Sequence, residues 1–169
     1  MRGYFGVGVE GISKSYNLGA VLRTSNAFGA SFAFTIGATH SAMEVRRTDT
    51  SRSDTHMPFY EWEAPSDLIL PKGCQMVGVE LTDESIELPS FRHPTNCVYV
   101  LGPEKGNLSD DMQARCDYLV KIPTKFCINV SLACALALYD RTIMMGGYPD
   151  RPVKVGGPDA SWSRPKSKR

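Results

Sequence analysis

Residues 97–108 read Cys-Val-Tyr-Val-Leu-Gly-Pro-Glu-Lys-Gly-Asn-Leu. The opening CVYVLG (97–102) is a short apolar run of the kind that suits a parallel sheet covered on both faces. The loop that follows, Leu101 to Leu108, leaves the strand at its carboxyl end, where open α/β sheets bind ligands. Gly102 and Gly106 let backbone groups approach a ligand closely. The loop lacks the G-x-x-x-x-G-K-[ST] pattern of a P-loop. It is either a ligand loop or a tight connection between elements.

The same alternation extends to both sides. YFGVGVE (4–10), SFAFTIG (31–37), QMVGVEL (75–81) and YLVKI (118–122) read as further strands. Asn17 is placed to cap a helix whose Leu18, Val21, Leu22 and Phe28 approximate an apolar stripe, with Gly29 placed to stop it. Ser109 can cap a short helix, with Asp110 and Asp111 near its positive end. A long helix is predicted over 128–145, ended by Gly146 and Gly147. Residues 41–66, with Pro58 and Pro65, read as mainly loop. Repeated strand–helix alternation predicts an α/β domain with a largely parallel sheet. The 169 residues suit one domain, residues 1–150, followed by an aperiodic tail, 151–169.

The net charge of +1 conceals an asymmetry. Six basic residues of the tail (Arg151, Lys154, Arg164, Lys166, Lys168, Arg169) face one acid, Asp159, leaving the rest of the chain mildly acidic. Such a tail either adds phosphate contacts or is a solvated, disordered end. No apolar stretch is long enough to span a bilayer, and the N-terminus lacks a signal core. The five cysteines include no CxxC pair, which fits free thiols in a reducing compartment. The expected location is the cytoplasm. No metal-ligand spacing is visible. His40, His56 and His93 are scattered, and His56 and Arg52 in the polar loop are either RNA contacts or, the plainer reading, surface residues.

Gly6-Val7-Gly8-Val9-Glu10-Gly11 matches G-x-G-x-x-G, yet the glycines lie inside the strand and the next helix begins several residues later. A dinucleotide fingerprint needs the strand before the glycines and a helix opening at them. The NAD-dependent reading rests on this match alone.

Two further segments carry polar groups at element ends. In Asn17-Leu18-Gly19-Ala20-Val21-Leu22-Arg23-Thr24, Arg23 and Thr24 lie off the apolar stripe. Arg23 is either a cation for a phosphate or carboxylate, or half of a surface salt bridge. In Ile122-Pro123-Thr124-Lys125-Phe126-Cys127-Ile128-Asn129-Val130-Ser131, Pro123 ends strand pairing. Asn129 and Ser131 bring an amide and a hydroxyl to a helix start, as caps or as site groups.

Taken in order, N-x-G-x-x-x-R-T, L-G-P-E-x-G-x-L and I-P…N-V-S resemble the three motifs of the SpoU (TrmH-like) RNA methyltransferases of the SPOUT class. The resemblance covers Phe5 to Tyr148. It implies a parallel-sheet α/β-knot fold with a deep C-terminal trefoil knot, and a homodimer with the active site near the subunit interface. It also implies S-adenosylmethionine as cofactor and RNA as substrate, methylated on a ribose 2′-hydroxyl. By motif position the cofactor pocket uses Leu81, Thr82, Gly102, Glu104, Ile122 and Cys127. Asn17, Arg23, Glu104 and Asn129 match catalytic or site-shaping positions, with Ser131 beside them. Cys127 stands where many members carry serine, which removes a hydroxyl there. No additional RNA-binding domain is evident, which tilts the expected substrate toward tRNA over rRNA.

The cofactor's sulfonium already activates the methyl group, so the protein's task is alignment and proton removal. Arg23 is expected to fix the adjacent phosphate and stabilise the developing alkoxide, near the partner subunit's cofactor. The competing reading is a non-catalytic RNA-binding protein that kept the fold. The presence of Arg23, Glu104 and Asn129 argues against it.

Overall fold

The structure is a computed structural model that describes residues 3–39 and 57–148. The chain runs β1 (Phe5–Glu10), α1 (Ser15–Ala27), β2 (Phe32–Ile36), β3 (Phe59–Trp62), β4 (Gln75–Val79) and β5 (Ile86–Glu87). It continues through β6 (Cys97–Leu101), α2 (Asp110–Arg115), β7 (Tyr118–Lys121) and α3 (Val130–Met145). The strands form one sheet in the order β3-β2-β1-β6-β4-β7-β5, and every pairing is parallel. His40, His56, Arg52, most of the 41–66 loop and the 151–169 tail lie outside the described residues.

The reading of 97–102 holds: all five residues of β6 are buried, at the centre of the sheet. Cys97, Tyr99 and Leu101 face the cluster that includes Leu18 and Leu22 of α1 and Cys134 and Leu138 of α3. Val98 and Val100 face the opposite cluster, which includes Leu108 and Met112. Each fully buried side chain of this kind contributes about 1.5–3 kcal/mol. This two-sided burial explains why the strands read as apolar runs without alternation.

The glycines of the G-x-G match serve packing. Gly6 pairs with Phe32 and Gly8 with Phe34 in the β1–β2 register. A Cβ on Gly8 would stand 2.2 Å from the Phe34 ring, and one on Gly6 2.6 Å from the Phe32 ring. The dinucleotide reading therefore has no structural basis, because the glycines admit aromatic rings mid-strand.

Several boundaries differ from expectation for identifiable reasons. Helix α1 begins at Ser15, with Lys14 at the N-cap and no side-chain cap. Asn17 is buried inside the first turn, where its amide is held by groups from other elements, so it does not cap. Gly29, at φ 79°, ends the helix as predicted. Within 41–66 the chain forms β3, a four-residue edge strand with only partial burial, so it lacks a strong apolar signal. Strand β5 has two exposed residues and is invisible to periodicity. Helix α3 starts two residues later than predicted because Asn129 is its N-cap, accepting from the Ser131 amide.

His93 is buried. Its Nδ1 lies 2.5 Å from the Tyr99 hydroxyl and its Nε2 2.9 Å from Asp140. Burial lowers its pKa, against the pull of Asp140. Beside it Arg141, 1% exposed, donates to the carbonyls of Pro94 (2.6 Å) and Thr95 (2.9 Å) and lies over the Phe5 ring. Together they pin α3 to the turn that enters β6. Among the described residues no helix is long and apolar enough to cross a membrane.

Candidate active site

The three motif segments meet at the carboxyl ends of the central strands. Glu104, in the loop after β6, accepts from the Ser13 amide (3.0 Å) and hydroxyl (2.9 Å) on one oxygen. Its other oxygen accepts from the Lys14 amide (3.0 Å) and from Asn17 Nδ2 (3.0 Å). Asn129 Nδ2 donates to Asn17 Oδ1 at 3.1 Å. The Ser131 amide and hydroxyl donate to Asn129 Oδ1 at 2.9 and 2.6 Å. One chain of bonds thus runs from α3, through α1, to the β6 loop.

The direction of this chain is set at both ends. A carboxylate only accepts, so Asn17 must present its NH₂ to Glu104 and its oxygen to Asn129. The Ser131 backbone N–H only donates, so Asn129 must present its oxygen there and its NH₂ to Asn17. The two requirements agree, which makes the amide orientations mutually determined. Burial pushes the Glu104 carboxyl up, but the bonds from Asn17 and Ser13 outweigh it and hold its pKa at about 2, against an ordinary 4.5. With both oxygens occupied and so low a pKa, Glu104 is a clamp and a poor proton acceptor near neutrality.

Two glutamates that the sequence reading passed over support the loop from either side. At the carboxyl ends of β1 and β4, which flank β6, the sequence reads Val-Gly-Val-Glu, with Glu10 the last residue of β1 and Glu80 the first after β4. Glu10 accepts from the Ser109 amide (2.8 Å) and hydroxyl (2.5 Å). Glu80 accepts from the amides of Leu81 (3.0 Å) and Leu108 (2.7 Å). Their signal was available: an acid at the carboxyl end of a buried strand, twice, in the same tetrapeptide.

Beneath the hydrogen-bond chain lies a cavity of about 360 Å³. Of the candidate residues, Asn17, Leu81, Gly102, Glu104, Ile122, Cys127 and Asn129 line it. Its apolar walls add Val79, Leu101, Ile128, Val130 and Ala133, and its mouth adds Lys14 and Tyr16. Thr82 is not in the lining. Its hydroxyl meets Ser85 at 2.7 Å and its carbonyl accepts from Lys121 at 3.1 Å. Ser131 acts through Asn129, outside the lining. Arg23 is exposed on α1 and is not among the residues that line the cavity. Cys127 is an exposed free thiol, whereas Cys97 and Cys134 are buried. Among the described residues no group of three His, Cys, Asp or Glu side chains could hold a metal ion.

The volume falls in the range of small-molecule pockets, about 300–1,000 Å³. Aliphatic walls beside strand-end backbone suit a flat heteroaromatic group, and the polar bond chain marks one side. These features define a parallel α/β protein with a nucleoside-sized site at its strand carboxyl ends. Residues 5–139 match the SpoU rRNA methylase family. The chain belongs to that family.

Among its relatives is the 23S rRNA (guanosine-2′-O-)-methyltransferase RlmB of Coxiella burnetii, 30% identical over 140 residues. That match covers 78% of this chain and 55% of the relative, so the chain spans about half of that relative's length. The tRNA (guanosine(18)-2′-O)-methyltransferase of Thermus thermophilus is 25% identical over 154 residues, covering 85% of this chain and 78% of that one. The crystal structure of an AdoMet-bound rRNA methyltransferase from Sinorhizobium meliloti shares the fold, with a TM-score of 0.75 at 23% identity. That alignment covers 86% of this chain and 58% of the other.

Proposed function

We propose that this chain is an S-adenosylmethionine-dependent RNA methyltransferase acting on a ribose 2′-hydroxyl. The observation that carries the reading is the convergence of three separated motif segments on one cavity through the Ser131–Asn129–Asn17–Glu104 chain. Relatives named as 2′-O-methyltransferases of rRNA and tRNA support the reaction class. The site fits the cofactor: its walls are aliphatic, its rim is polar and its volume suits an adenosyl group.

In this reading Leu81, Ile122 and the backbone at Gly102 and Cys127 hold the cofactor, and Thr82 braces the Leu81 turn. When bound, the cofactor supplies a methyl group on an electrophilic sulfonium. Asn17 and Asn129 shape the polar wall, while Glu104 clamps it and Ser131 orients Asn129. Arg23, a fixed cation, holds the phosphate beside the target ribose and stabilises the alkoxide as its proton leaves.

A homodimer completes the site. Helix α3 buries Cys134, Ala137 and Leu138 on one face yet exposes Leu132, Leu136, Tyr139 and Ile143 on the other. A helix apolar on both sides calls for a second covering surface. A second copy would supply it, carrying Arg23 to the neighbouring cavity. The trefoil knot is supported by the strand order. The connection from β4 to β6 reaches outward to form β5 beyond β7, so β7 lies between β4 and a segment of that connection. The T. thermophilus relative, most of whose length the chain matches, favours tRNA as substrate. Residues 1–150 form the catalytic domain, and the basic 151–169 segment adds phosphate contacts. The free thiols suit the reducing cytoplasm.

Calorimetry with S-adenosylhomocysteine and, separately, NAD tests the cofactor assignment. Saturable binding of the first alone is expected. Binding of NAD alone, or of neither, would overturn the reading.

A further inference from the structure

One part of the cavity has no task in the mechanism above. Lys14 and Tyr16 stand at its mouth, at the entry to α1. Among the described residues Lys14 is the one cation in the lining. Its ammonium lies 5.8 Å from the centre of the Tyr16 ring. Tyr16 is 57% exposed, so its ring keeps an open face. Among the described residues Lys14 forms no ion pair with Glu80 or Glu104, whose oxygens accept from amides, hydroxyls and Asn17.

The segment that carries the pair is held firmly. Glu104 binds the amides of Ser13 and Lys14 and the side chain of Asn17, on both sides of the helix entry. An exposed aromatic ring and a cation thus stand side by side, on a held backbone segment, at the rim of a nucleoside-sized pocket. That pairing suits single-stranded nucleic acid: the ring offers a sequence-tolerant stacking platform and the cation takes a phosphate.

We propose that Lys14 and Tyr16 grip the substrate RNA, with Tyr16 stacking on a base at or next to the target nucleotide and Lys14 taking the adjoining phosphate. This inference rests on the methyltransferase reading. The one other anion within reach on that reading is the cofactor's carboxylate, and the test separates the two.

The full chain is compared with Lys14→Ala, Lys14→Arg, Tyr16→Ala and Tyr16→Phe. The readouts are S-adenosylhomocysteine affinity, methyl transfer to unmodified transcribed tRNA, anisotropy with a short fluorescein-labelled single-stranded RNA, and sedimentation. Tyr16→Ala should raise the RNA KM about 5- to 100-fold, and Tyr16→Phe should restore it, since the stack needs only the ring. Lys14→Ala should weaken RNA binding and lower the slope of log affinity against log salt by about 0.7, with Lys14→Arg retaining both. The losses should fall on KM rather than kcat, with cofactor affinity unchanged in all four variants.

Loss of S-adenosylhomocysteine affinity in Lys14→Ala would assign the ammonium to the cofactor and overturn the proposal. A dimer-to-monomer shift in Tyr16→Ala would assign the ring to a subunit interface and overturn it equally. Wild-type RNA affinity in both alanine variants would do the same. If the wild type neither binds S-adenosylhomocysteine nor transfers methyl, the parent reading fails. The anisotropy comparison still decides whether the pair binds RNA.

Discussion

Replacing Glu104 by glutamine changes one oxygen to NH₂ and removes one charge, with almost no change in shape. Each Glu104 oxygen accepts from one backbone amide, Ser13 on one side and Lys14 on the other. Either orientation of a glutamine therefore sets an NH₂ against a backbone N–H that cannot turn. If it faces Asn17 as well, Asn17 must flip, then Asn129, and the conflict arrives at the Ser131 amide, which is equally fixed. An unsatisfied amide costs about 1–3 kcal/mol, and the remaining bonds lose their charge assistance. Because Ser13 and Lys14 are near solvent, water recovers part of this, and the net local cost falls to about 2 kcal/mol. At about 1.4 kcal/mol per factor of ten, S-adenosylhomocysteine affinity and kcat/KM should drop by about 30-fold. Titration calorimetry and initial-rate assays on Glu104→Gln measure both. Wild-type affinity and turnover would refute the view that the carboxylate orders the amide chain.

Four further outcomes are expected, three from the structure and one from the charge of the 151–169 segment. The depressed Glu104 pKa means its stabilisation is complete above its ordinary 4.5 and is lost as pH falls toward about 2. Acid unfolding of the wild type should therefore show a component in that window that Glu104→Gln lacks, measurable by circular dichroism. Arg141→Met removes the donors to the Pro94 and Thr95 carbonyls and should cost about 1–3 kcal/mol in urea unfolding for each acceptor left unsatisfied. A change under 1 kcal/mol would contradict the pinning role given to Arg141 (~1 kcal/mol being the net worth of one ordinary bond). Arg23→Ala should lower kcat by about 100-fold while S-adenosylhomocysteine affinity stays within error, because Arg23 lies outside the cavity lining. Deleting 151–169 should weaken RNA binding and reduce its salt slope by at most about 4, for six basic residues. An unchanged slope would demote that segment to a spacer.

Much of the fold is legible in the sequence because it rests on strong local signals. The central strands are short apolar runs, and two-sided burial leaves that mark wherever a parallel sheet is covered. Ser109, which accepts from the Met112 amide, and Gly29 were readable because caps and helix stops need particular residue types. Strands β3 and β5 were not readable, being edge elements that bury little. Asn17 shows the limit of local reasoning: its place before a helical stripe predicts a cap, but partners 87 and 112 residues away claim its side chain. The loop braces Glu10 and Glu80, and the buried Arg141, depend on contacts across the sheet or beneath α3. Composition disguises them as ordinary surface charges.

The most direct test of the account is where the methyl group ends up. Unmodified tRNA and rRNA transcripts are incubated with the purified chain and tritiated S-adenosylmethionine, then hydrolysed with alkali. Methylation of a ribose 2′-oxygen blocks cleavage at that nucleotide, so the account predicts label in alkali-resistant dinucleotides. Label confined to mononucleotides, which marks a methylated base, or no incorporation into either RNA, would contradict it.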